Sequence, residues 1–195
     1  MEEKNVKLSF KKWDVANADD RRKPILDGIV QNFGMVPNMY ANMIGSPGLL
    51  ETYLYGYEIF RKESGFTPVE QEVIFLTISR ENECSYCVAA HSWVAQNVSK
   101  LLPDVIEAIR TGEPVSRPRL SALNRFTATM VQKRGNPTHQ DAQQFLGAGF
   151  TEENILEIIL AIAIKTLSNY SNHVFHTPVD EPFAAHEWSS QLEVS

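Results

Sequence analysis

The chain of 195 residues contains only two cysteines, Cys84 and Cys87. They are too few and too close together for the disulfide framework that staples small secreted folds. Long hydrophobic runs are absent as well. The most apolar stretch, Ile155 to Leu167, is shorter than a bilayer span and is broken by Glu157 and Lys165, which argues against a membrane partner. Positive charge is scarce: the formal net charge is -6, and the largest basic cluster, Arg21-Arg22-Lys23, reads as solvated surface. Non-specific nucleic-acid binding, which needs a basic footprint, is therefore excluded. The N-terminal MEEKNVKLSF has no apolar core of a secretory signal, so a cytoplasmic protein is expected. No segment alternates with period two between turn signals, so strands are not expected.

What is present is an ordinary globular composition, 43% hydrophobic, and enough chain for one domain with a sizeable core. Its patterning is helical. Pro24 suits the first turn of a helix carrying Ile25, Ile29 and Val30, which Gly34 and Pro37 end. Ser46-Pro47 opens a second, with Leu50, Tyr53, Leu54, Tyr57 and Phe60 at helical spacing, a stripe that reads as core or subunit interface. Thr67-Pro68-Val69-Glu70 is a capping box with proline at the first helical position. That helix should fray near Asn82, and Asn82 or Ser85 can cap the next. Pro103 and Gly112 bracket a short helix, and Leu120, Leu123, Phe126, Thr127 and Met130 form another face that Gly135-Asn136-Pro137 ends. Thr138 and Thr151 look like caps of the last two helices, the final one expected to be the most buried. Pro178 and Pro182 then impose an extended segment, TPVDEPF. Phe10 and Trp13 could anchor an N-terminal arm. The stretch from Thr67 to Gln96 faintly echoes that from Thr151 to His173, which admits an internal duplication of a helix-pair unit.

The chemistry concentrates between Glu72 and His91. If the chain is helical from Cys84 to Gln96, then Cys84, Cys87 and His91 lie on one face at i, i+3, i+7. A free thiol titrates near 8.5, and a helix N-terminus contributes only about 0.3–1 kcal/mol toward the thiolate, which leaves it partly ionised. A bare carboxylate beside the thiol would oppose ionisation. A histidine between the two resolves the conflict, accepting the thiol proton while the carboxylate stabilises the imidazolium.

Glu72, eleven intervening residues, Cys84-Ser85-Tyr86-Cys87, three residues and His91 together resemble the alkyl hydroperoxidase D-like group of the carboxymuconolactone decarboxylase superfamily. Ser79 and Asn82 in the flanking LTISRENECSYC fit that pattern, and Gly34-Met-Val-Pro-Asn38 and NHVFHTPVDEPF are similar to its peroxidase-related members. The resemblance runs from about Gly34 to Trp188. It divides the chain into an arm and first helix at 1–33, a helical domain at 34–188 and a polar tail at 189–195. It implies an all-α helical bundle, a homo-oligomer (trimer or hexamer), and a cofactor-independent thiol peroxidase acting on a hydroperoxide. By position, Cys87 would be the peroxidatic thiol and Cys84 the resolving thiol that closes a Cys84–Cys87 disulfide. His91 and Glu72 would form the proton relay, Tyr86, Ser79 and Asn82 would border the substrate, and an external dithiol or protein reductant would restore the pair. The chain departs from the pattern at Tyr86, where the best-known peroxidase of the family has histidine. A phenol titrating near 10 passes protons less readily at neutral pH.

Other readings use the same residues. A structural zinc site on Cys84, Cys87, His91 and Glu72 lacks the second Cys or His pair usual at such spacing, so no metal is expected. Buried free thiols can simply be core. A decarboxylase acting on a small organic acid needs no cysteine pair, and a non-catalytic redox-sensing oligomer would hold the thiols without turnover. His139 and His186 read as surface residues, and His173 and His176 as a helix end that could border the thiols.

Overall fold

The computed structural model describes residues 5–9 and 11–189; Phe10 and residues 190–195 of the expected arm and tail lie outside the described residues. The described residues form nine α-helices and one 3₁₀ helix, with no strand. In order these are α1 (Lys23–Phe33), α2 (Asn38–Met43), α3 (Pro47–Glu63), α4 (Pro68–Glu81), α5 (Ser85–Asn97), α6 (Pro103–Thr111), α7 (Pro118–Gln132), α8 (His139–Gly147) and α9 (Glu152–Phe175), then the 3₁₀ helix Glu181–His186. Proline opens α1, α3, α4, α6 and α7 at the first or second position, where its missing N–H is no loss and its φ is already helical.

The axis of the bundle is α4. Residues Glu70 to Ser79 are all buried, so this helix is covered on every side rather than along one stripe. It packs against α5, α6, α7 and α9. This corrects the expectation for the last helix: α9 is long, but Leu156, Ile159 and Tyr170 on its outer side are 65, 46 and 59% exposed. The Thr67 box forms as expected. Thr67 accepts from the Glu70 N–H, and the Glu70 carboxylate accepts from the Thr67 N–H while also binding Arg119 of α7.

The turn from α4 to α5 differs from expectation in a way that shapes the site. Neither Asn82 nor Ser85 caps α5; Cys84 does, with an extended backbone at φ -93 and ψ 97. The Cys84 N–H bonds the Ser79 carbonyl and the Glu83 N–H bonds the Arg80 carbonyl, with Glu83 left-handed at φ 53. This is a Schellman ending for α4, with glutamate where glycine is usual. One residue, Cys84, closes one helix and opens the next. It therefore stands outside the helical face that was to hold it, and only Cys87 lies within the first turn of α5.

Three further differences concern the chain's ends. Residues 38–43 form α2, a helix that the short stretch between Pro37 and Gly45 did not announce. The TPVDEPF segment is extended only to Asp180, where the 3₁₀ helix begins. Finally, α9 continues unbroken through its Ser/Asn/Tyr-rich part to Phe175, so the stretch that echoed α4–α5 is one helix and not a second helix pair. No described helix is long and apolar enough to cross a membrane.

Candidate functional site

Cys84 and Cys87 are unbridged and almost fully buried, 1 and 2% exposed, where α4, α5 and α9 meet. The side-chain amide of Asn172, from α9, donates to both sulfurs, at 3.2 Å to Cys87 and 3.7 Å to Cys84. Ser168, one turn earlier, has its hydroxyl 4.0 Å from the Cys87 sulfur.

Glu72 faces inward, wholly buried, and its Oε2 lies 2.9 Å from His91 Nδ1. Its other oxygen is ion-paired with Arg61 of α3, close in distance though outside hydrogen-bond alignment. Arg61 also donates to the Tyr57 hydroxyl and to Gln71 Oε1, with its cation over the Tyr57 and Phe75 rings. A carboxylate on Nδ1 fixes the tautomer of His91: Nδ1 carries the proton and Nε2 offers a lone pair. That lone pair meets Lys165, whose Nζ lies 2.9 Å away and whose side chain is wholly buried in α9.

Electrostatics follow this geometry. Burial raises the Glu72 carboxyl, but the His91 and Arg61 contacts outweigh it and hold the group below its ordinary range. Burial and the Lys165 charge depress His91 against the pull of Glu72, so the imidazole is neutral. The two thiols part company. Burial, then the neighbouring sulfur, raises Cys84. Cys87 is raised by burial but receives a hydrogen bond from Cys84 and the fields of Lys165 and His91, and falls well below an ordinary thiol. The nearer Asn172 amide favours the same direction, so of the two thiols Cys87 is the more acidic.

The residues named as bordering the substrate are each engaged inside the fold. The Ser79 hydroxyl bonds back to the Phe75 carbonyl, Asn82 donates to Asn169, and the Tyr86 hydroxyl donates to Asp180 at 2.5 Å. Burial and the Asp180 carboxylate push the Tyr86 phenol upward, which removes it from proton transfer at neutral pH. Asp180 also accepts from the Asn38 N–H at the start of α2.

Through these bonds residues 177–188 form a strap over α5. Asn42 holds Thr177, Asn38 holds the Pro178 carbonyl, and Arg110 holds the carbonyls of His186 and Glu187. Trp188 donates back to the Arg110 carbonyl. Phe183 sits edge-on to Tyr86 and against Trp93. His139 is exposed, His186 is half-buried in the strap, and His176 caps α9 with its ring against the Val6 carbonyl. Among the described residues, no group of three or more His, Cys, Asp or Glu is arranged for a metal ion; both nitrogens of His91 are occupied by Glu72 and Lys165. A groove of about 370 Å³ lies elsewhere, bordered by Arg80, Gly112, Asn124 and Arg125.

The spacing Glu72–Cys84–Cys87–His91 thus marks residues that do converge. Asn172 and Asp180 lie in the NHVFHTPVDEPF stretch, which the resemblance includes without giving them a role; Lys165 reads only as a break in the apolar run of α9, and Arg61 carries no signal.

Residues 48–129, from α3 into α7, match the model of the Carboxymuconolactone decarboxylase family. Among solved structures, the chain is similar to an alkylhydroperoxidase AhpD core, an uncharacterised peroxidase-related protein from Ralstonia eutropha JMP134. The TM-score is 0.78 and the identity 21%, over 89% of this chain and 93% of that one. A peroxidase-related protein from Silicibacter sp. TM1040 gives 0.75 and 19%, over 93% and 95%. The debrominase Bmp8, as a cysteine-to-alanine variant in complex with 2,3,4-tribromopyrrole, gives 0.74 and 16%, over 94% and 97%. No curated protein sequence gives a significant match. At identities this low the likeness to these structures is one of fold, an AhpD-like fold, and the family match is confined to residues 48–129.

Proposed function

From that AhpD-like fold and its family segment, we propose that this chain is a thiol-dependent hydroperoxide reductase using Cys87 and Cys84. The observation that carries this reading is the asymmetric sulfur pair. One buried thiol is acidified and the other is not, with a single amide donating to both. A thiolate attacks the hydroperoxide O–O bond; its partner, still protonated, is placed to close the disulfide. The reaction needs no cofactor. An external dithiol restores the pair, and the exposed apolar side of α9 supports a homo-oligomeric assembly.

The test is thiol counting before and after one equivalent of an alkyl hydroperoxide, with mass spectrometry to find the bond. The expected result is loss of both thiols and a Cys84–Cys87 bridge, abolished in Cys87→Ser. Retention of two free thiols across a panel of hydroperoxides would remove the reading in favour of a decarboxylase-like enzyme or a redox-silent module.

One observation favours a second substrate class. The strap lays Phe183 edge-on to Tyr86 and against Trp93, so aromatic rings that an aromatic substrate could pack against flank the cysteine turn. A haloaromatic could give its halogen to the Cys87 thiolate; the ring takes a proton, and Cys84 then displaces halide to leave the same disulfide. Halide release from a brominated pyrrole with consumption of dithiol would identify this activity.

A further inference from the structure

The described proton relay stops one residue short of the sulfur. With Nδ1–H given to Glu72 and Nε2 accepting from Lys165, His91 has no nitrogen left for the thiol. The buried charges also fail to balance. Arg61 and Glu72 pair with each other and His91 is neutral, which leaves the Lys165 ammonium with no carboxylate in ion-pair reach among the described residues. A wholly buried cation requires a partner. The same inward face of α9 presents Lys165, Ser168 and Asn172 at i, i+3, i+7, and the last two touch Cys87.

We propose that Lys165 is a catalytic residue, the counter-ion of the Cys87 thiolate and the acid that returns the proton. Glu72 and Arg61 act through His91, holding the lone pair of Nε2 on the lysine; they are positioning residues. The depression of the Cys87 thiol by Lys165, both through its charge and by direct hydrogen bonding, supports this placement.

The chemistry rests on the hydroperoxide reading and balances within the cluster. The Cys87 thiolate attacks the distal oxygen of ROOH; an S–O bond forms, the O–O bond breaks, and sulfur loses two electrons. The leaving alkoxide takes a proton from the Lys165 ammonium to give ROH and a neutral amine. That amine takes the Cys84 proton, and the new thiolate attacks the Cys87 sulfenic acid. An S–S bond forms, and the departing hydroxide leaves as water with the proton from Lys165. Thiolate, thiol, ammonium and ROOH become disulfide, amine, ROH and water. The buried site gains no net charge, because the lysine gives up its proton as the sulfur gives up its negative charge.

The experiment isolates Cys87 in a Cys84→Ser chain and reads its ionisation without any peroxide, by ultraviolet thiolate absorbance against pH and by alkylation rate at neutral pH. Lys165→Met, an unbranched neutral replacement, is expected to raise the thiol midpoint by about one unit or more and to slow alkylation about tenfold. Lys165→Gln serves as a second neutral variant should the first not fold, and Lys165→Arg should keep the midpoint low. An unchanged midpoint in a folded neutral variant overturns the proposal. Because the readout needs no turnover, a chain that titrates as expected yet reduces no hydroperoxide loses only the functional reading. With both cysteines present, Lys165→Met should also slow sulfenic-acid formation at a pH high enough to ionise Cys87 fully, which a purely structural lysine would not do.

Discussion

A single imidazole shows how strongly context sets chemistry here. His91 is held neutral by burial and by the Lys165 charge, against the opposing pull of Glu72. The folded chain therefore binds fewer protons at this ring than the unfolded chain as pH falls below the ordinary histidine value of 6.5. Its contribution to stability is complete above that value and drains away as pH drops through the folded midpoint. Glu72, also depressed, extends the loss below its ordinary 4.5. Urea midpoints should fall steadily on acidification from about pH 7 to 5, and the His91 ring protons followed by NMR should titrate below 6.5. A flat stability profile with a ring titrating above that value would contradict the assignment. At this scale the sequence was half legible. Spacing brought Glu72, Cys84, Cys87 and His91 to notice because all four lie on two consecutive helices or the turn between them. Arg61 and Lys165 come from α3 and α9, and only tertiary packing adds them.

At the scale of elements, local rules read well wherever a side chain bonds its own backbone. The Thr67 box and the Thr138 and Thr151 caps form as their sequences indicate. Thr67→Ala should cost about 1 kcal/mol and lower the melting temperature by about 2–4 °C, leaving the Cys87 titration unchanged. Calorimetry with thiol titration checks both, and a shifted thiol would mean that the start of α4 is coupled to the site. Rules failed where long-range bonds set the boundary. Nothing local shows that Cys84 can end α4 and cap α5 at once, since glutamate at the left-handed position conceals the turn. Nor could α2 be read locally, because the carboxylate that receives its first N–H belongs to Asp180.

For the whole molecule, the all-α class followed from the absence of alternation and the density of proline-led helix starts. Which helix forms the axis did not, because α4 and α9 are both apolar and only packing shows which is enclosed. The outer side of α9 has a consequence for assembly. Leu156 and Ile159 are large, apolar and exposed one turn apart. Replacing both by glutamate should leave the monomer folded while lowering its mass in light scattering to that of a single chain. An unchanged mass would place any subunit contact elsewhere.

Burial makes entry to the sulfurs a matter of probability. Both sulfurs are buried, and Tyr86 between them is bonded to Asp180 of the strap, so under the proposed function a bulky oxidant or reductant reaches them only when the surrounding packing opens. Each increment of about 1.4 kcal/mol in its closure thins the open population tenfold. Bonds such as Tyr86–Asp180 would then govern how often turnover can begin, and a slim dithiol would outpace a bulky protein donor.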